Sequence, residues 1–92
     1  MIKSFKDKSL ERFFLSGNTR GLSVQNTKRL KSILQALAAA TKASDMDLPG
    51  LRFHSLAPGQ PSRYTVWATA NWRITFAFTD GHAVEVDLED YH

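Results

Sequence analysis

The chain has no cysteine, which removes disulfide scaffolds, thiolate nucleophiles and zinc ribbons together. It has five glycines and three prolines, and none of the glycines forms a P-loop or a GxGxxG turn, so no nucleotide phosphate cradle is encoded. No apolar run approaches the roughly 20 residues that a membrane span needs. The opening Met1-Ile2-Lys3-Ser4-Phe5-Lys6-Asp7 lacks the apolar stretch of a secretory signal, so a cytoplasmic protein without membrane association is expected. His54, His82 and His92 stand far apart and at no HxxxH or HxxE spacing, so a metal site is not expected. The 92 residues, read as a single domain over 1–92, leave too little wall to enclose a dinucleotide, and no cofactor is expected.

Acidic residues are nearly missing from the front. Residues 1–42 hold nine Lys and Arg against only Asp7 and Glu11, whereas no Lys or Arg follows Arg73 and Asp80, Glu85, Asp87, Glu89 and Asp90 crowd the end. A basic front suggests a polyanionic partner, nucleic acid being the commonest, or else a solvated helical surface. Charge alone does not choose between them.

What is present changes period once, near residue 50. Ile2 and Phe5 flank a short stretch with strand character. Asp7 is placed to cap a helix carrying Leu10, Phe13 and Phe14, with Gly17 as its stop. Ser23 is the expected cap of a longer helix with Leu30, Ile33, Leu34 and Leu37 on one face, and Pro49-Gly50 ends the helical half. Thereafter residues alternate: Tyr64, Val66 and Ala68 against Arg63, Thr65 and Trp67, then Trp72, Ile74, Phe76 and Phe78 against Arg73, Thr75, Ala77 and Thr79, then Val84, Val86 and Leu88 against Glu85, Asp87 and Glu89. A further strand is expected over Leu51 to Ser55, and a loop over Ala57 to Ser62. Asp80-Gly81 marks a hairpin turn. A strict two-residue loop there would put Phe76 and Phe78 opposite in face to Val84 and Val86, so either the loop is longer or a bulge shifts the register, and the longer loop is preferred. The fold class is α+β, with N-terminal helices on one face of a twisted, mainly antiparallel sheet. Arg73, Thr75 and His54 are then expected on the other face.

RNA cleavage asks least of such a protein. The substrate supplies its own nucleophile, the 2′-hydroxyl beside the scissile phosphate. The protein must take one proton, give another to the leaving 5′ oxygen, and stabilise the crowded phosphorane with positive charge. His54, His92 and Arg73 are sufficient for this, and Tyr91 offers a flat ring for a neighbouring base. Each has a plainer reading: His54 as a structural histidine, Arg73 as a cross-strand partner of Asp87 or Glu89, Asp90-Tyr91-His92 as a frayed end. His82 reads as a turn residue, and Trp67 and Trp72 as core and edge packing.

The combination is more specific than its parts. The run Asn71-Trp72-Arg73-Ile74-Thr75-Phe76-Ala77-Phe78, the Asp80-Gly81 turn and the terminal Asp90-Tyr91-His92 resemble the HigB branch of the RelE/ParE toxin superfamily, the plasmid-maintenance killer proteins. The opening residues and Leu48-Pro49-Gly50-Leu51-Arg52-Phe53-His54 also fit, so the likeness spans the chain. It implies a RelE-like fold and a toxin that cuts messenger RNA in the ribosomal A site, without a metal. It also implies a helix-turn-helix antitoxin of the HigA type, through which the pair reaches operator DNA. On matching positions it implies an active-site set of His54, Asp90, Tyr91 and His92 with Arg73 as the phosphate-side cation. His92 is the expected general acid, and His54 or Asp90 the base. Arg52 and Arg63, with Lys28 and Lys31 from the basic helix, are the candidate RNA-binding cations. Ala57 stands where the family often carries a basic residue, as does Ala77, so phosphate stabilisation is expected to be thinner, and either Arg63 or Arg52 substitutes or the toxin is weak. The rival class is a non-catalytic binder like the ParE branch, which poisons gyrase.

Overall fold

The computed structural model describes residues 1–56 and 62–90. Helix α1 spans Lys8–Ser16 and helix α2 Thr27–Ala39, followed by a 3₁₀ turn at Ala43–Met46. Four strands then form one antiparallel meander in the order β1-β2-β3-β4: β1 at His54–Ser55, β2 at Tyr64–Trp67, β3 at Trp72–Thr79 and β4 at His82–Asp90. Backbone bridges pair Ile2 with Ala83 and Phe5 with Val86 in parallel, so the first residues run along the outer edge of β4 and cover it.

The helix boundaries follow from local chemistry. The Asp7 carboxylate accepts the Leu10 N–H at 2.9 Å, and Gly17, at φ 77°, returns its N–H to the Phe13 carbonyl. The second cap is not Ser23. Asn26 takes that place, its side-chain oxygen accepting from the Arg29 N–H, because Leu30 is then the first residue whose backbone closes an α-turn onto Asn26. Leu10, Leu30, Leu34 and Leu37 are fully buried against Val66, Ile74, Phe76 and Val86, so both helices cover one face of the sheet.

Three strand expectations change. The Leu51 to Ser55 strand shrinks to His54–Ser55, because Arg52 lies in the left-handed region at φ 51° and breaks the extended run. His82 is the first residue of β4, paired with Thr79, not a turn residue. The hairpin has the strict two-residue loop, Asp80 and Gly81 at φ 52° and 80°, and a bulge in β4 resolves the register instead of a longer loop. Thr75 pairs with Asp87 and Ala77 with Val84, so Glu85 and Val86 together oppose Phe76, with Glu85 at φ 50°. Its orphaned backbone groups are both satisfied: the Glu85 N–H donates to Ser4 Oγ at 2.8 Å and its carbonyl accepts from Arg63 at 2.9 Å. Beyond the bulge Ala83, not Val84, joins the core.

Candidate functional site

Strand pairing builds the site on the face turned away from the helices. The register His54–Thr65–Thr75–Asp87 runs across all four strands, and Trp67–Arg73–Glu89 across the last three. Residues in register share a face, so the alternation that buries Val66, Ile74 and Leu88 under the helices delivers these side chains to the opposite side. There Arg52, His54, Leu56, Thr65, Trp67, Arg73, Thr75, Glu89 and Asp90 line an open cavity of about 410 Å³.

Arg73 forms the back of the cavity and is only 4% exposed. Its Nη1 donates to the carbonyls of Thr69, Ala70 and Trp72, at 2.9, 3.3 and 3.2 Å. The tight β2–β3 connection thereby fixes the guanidinium. Its carbon lies 3.8 Å from the centroid of the Trp67 ring, and that of Arg52 lies 4.1 Å from the same centroid. Arg29 of α2 supports this corner from behind the sheet, donating to the carbonyls of Ala68 at 2.8 Å, Gly50 at 3.0 Å and Trp67 at 3.3 Å.

His54 stands exposed at the rim, with Nδ1 2.9 Å from the Arg52 carbonyl oxygen. A carbonyl only accepts, so Nδ1 carries the proton and, in the neutral ring, Nε2 is the basic nitrogen. On the floor, Thr75 Oγ1 accepts from Arg63 Nη2 at 3.0 Å and donates to Glu89 Oε2. Thr65 is 2% exposed, and its hydroxyl has no hydrogen-bond partner among the described residues. A buried hydroxyl left unpaired in a cavity is available to a polar ligand.

Of the residues singled out in the sequence, the fold brings His54, Arg52, Arg73 and Asp90 to one cavity. Arg63 lies behind the floor, tied to Thr75 and to the Glu85 bulge, with the Glu85 carboxylate 4.0 Å away. Lys28 and Lys31 are exposed on α2, across the sheet from the cavity. Tyr91 and His92, and the position of Ala57, lie outside the described residues. Sequence reasoning missed Trp67, Thr65 and Glu89 as lining. Trp67 is not packing but half-buried cavity wall. The alternation that put it beside Thr65 and Arg63 was the signal that would have found it.

Residues 3–92 match the family described as the RelE-like toxin of the type II toxin–antitoxin system HigB. The chain is also 38% identical over 92 residues to Endoribonuclease HigB of Proteus vulgaris, with both chains covered completely.

Proposed function

Because the chain belongs to the HigB-like family of RelE-like toxins of type II toxin–antitoxin systems, we propose that it is an endoribonuclease that cuts messenger RNA on the ribosome. The single observation that carries this reading is a tautomer-fixed histidine sharing one cleft with a pinned, buried arginine. Neutral His54 takes the 2′-hydroxyl proton at Nε2, and the freed oxygen attacks the adjacent phosphorus. Arg73 holds the charge that gathers on the phosphorane; its guanidinium is already oriented by three carbonyls, so little reorganisation is needed at that moment. His92 gives the proton to the leaving 5′ oxygen, with Asp90 and Tyr91 beside it in sequence as the ring's electrostatic and stacking neighbours. The products are a 2′,3′-cyclic phosphate and a 5′-hydroxyl end, and the reaction needs no metal.

Ribosome dependence has a physical reason in the shape of the cleft. It is open to solvent, and we take it to position a flexible RNA poorly alone, so the ribosome supplies the orientation that an enclosed site would provide. An antitoxin partner follows from the family, and we take it to be a helix-turn-helix protein that carries the pair to operator DNA. No helix among the described residues is long and apolar enough to cross a membrane, and the cytoplasm is where the substrate lies. The whole chain, residues 1–92, acts as one toxin domain in this reading.

Mapping RNA ends in cells after induction tests it. Codon-aligned cuts in translated messages, with cyclic phosphate on the upstream fragment, are expected. Intact messages accompanied by broken DNA would overturn the reading in favour of gyrase poisoning.

A further inference from the structure

The corner formed by Arg52, Trp67 and Arg73 is more constrained than charge attraction requires. Phosphate attraction alone is served by any lysine on a flexible stem, as at the exposed Lys28 and Lys31. Arg52 instead occupies a left-handed backbone conformation that a residue with a Cβ disfavours. Both of its neighbouring constraints are visible: Leu51 is buried, with its carbonyl accepting the Trp67 N–H at 2.7 Å, and the Arg52 carbonyl holds His54 Nδ1. Strain of this kind persists where surrounding structure fixes it, and here it delivers the guanidinium to the face of Trp67 next to His54. The two cations on the ring differ. Arg73 is buried and committed to the carbonyls of the β2–β3 connection, whereas Arg52 is exposed.

We propose that Trp67 holds the Arg52 guanidinium as a flat platform on which one unpaired nucleobase of single-stranded RNA stacks beside His54. The proposal rests on the RNA-cleavage reading and adds to it a substrate contact and a positioning residue. A guanidinium is planar and weakly hydrated on its faces, so with one face against an indole the other is suited to a base. Every base has such a face, so the contact fixes the position of the nucleotide more than its identity, with larger purines favoured modestly. Arg52 touches the substrate and Trp67 acts through it, since Arg73, on the same ring, is also held by the carbonyls of Thr69, Ala70 and Trp72.

The test is single-turnover cleavage on programmed ribosomes, with ribosome binding measured alongside and thermal melting as the check of folding. Arg52→Lys keeps the charge and loses the plane. It is expected to bind ribosomes within about threefold of wild type while cleaving about tenfold more slowly at saturation. The shape of the pH profile should be unchanged, since the proton-transfer groups and the Arg52 carbonyl are retained. Trp67→Ala should lose rate to a similar extent, and Trp67→Phe, which keeps a ring face, should recover most of it. Wild-type cleavage by Arg52→Lys would overturn the platform, leaving a phosphate contact only and the cleavage reading intact. A wild-type toxin that cuts no message on ribosomes would instead bring down the cleavage reading, and the platform with it.

Discussion

The two faces of the sheet are made by the same strands and obey different rules. Along β3, Ile74, Phe76 and Phe78 face the helices, while Arg73, Thr75 and Ala77 face away. Burial does not separate them, since Thr65, Arg73 and Thr75 are no more exposed than much of the core. What separates them is how burial is compensated. On the helix side Phe76 meets Tyr64 and Phe78 with ring centroids 6.1 and 5.9 Å away, and its transfer from water stabilises the fold directly. On the open side most buried polar groups are matched to fixed partners: Arg73 to three carbonyls, Thr75 between Arg63 and Glu89. Such matching contributes little net stability, but it holds dipoles and charges in place before a substrate arrives. One face holds the molecule together, and the other, in the proposed cleavage reading, is arranged for chemistry.

The comparison breaks most visibly at Phe76. Phe76→Ala should cost about 3–5 kcal/mol, a large part of the stability of a domain this size, and urea denaturation would show it. A small loss there would mean that the helix face is not the core. The open face should respond in the other currency. Arg73→Lys retains the charge but not the planar guanidinium, which is held at Nη1 by three carbonyls and along its face by the Trp67 ring, and cleavage should fall on the order of 100-fold against about 1 kcal/mol of stability. If stability and activity fell in proportion, the division between the faces would be false.

The edge between the faces carries a smaller effect of opposite sign. Glu85 sits at φ 50° in the bulge, and its ion pair with Arg63, at 4.0 Å and partly exposed, is weak. Glu85→Gly should therefore stabilise the protein by roughly 0.5–1 kcal/mol, read as a higher denaturation midpoint. A drop in the midpoint would show that the ion pair outweighs the backbone strain.

Asp45, outside both faces, gives the smallest effect. The Thr41 backbone N–H, aided by those of Lys42 and the Thr41 hydroxyl, holds its carboxyl below the usual carboxylate range. Because the folded value lies below the unfolded one, the stabilisation is complete above the unfolded value, about 3.9, and fades as pH falls through the lower folded one. Melting followed from pH 5 downward should fall slightly more steeply for the wild type than for Asp45→Asn. Parallel curves would remove the carboxylate from the turn's stability.

Much of this was legible in the sequence where one residue type has one use. Asp7 and Gly17 bracket α1 because a carboxylate and a left-handed glycine are what helix ends require. The run from Trp72 to Thr79 reads as a strand because its alternation is strict. Legibility fails where two solutions satisfy one pattern. Ser23 and Asn26 are both good caps, and only the backbone contacts of Leu30 decide between them. A longer loop and a bulge both reconcile Phe76 with Val86, and the choice turns on Ser4 and Arg63, distant residues that satisfy the bulge's backbone. The site followed the same rule. The chemistry of RNA cleavage picks out His54 and Arg73, whereas Trp67 reads as packing because an indole serves a core as readily as a cation.

His54→Gln tests the central claim most directly, because this exposed side chain is expected to matter to the reaction and not to the fold. Thermal melting and single-turnover cleavage on programmed ribosomes should be measured on the same preparation. The expected result is a stability within about 0.5 kcal/mol of wild type with cleavage at least ~100-fold slower. A variant that folds normally and cleaves at the wild-type rate would contradict the assignment of the open face as the catalytic one.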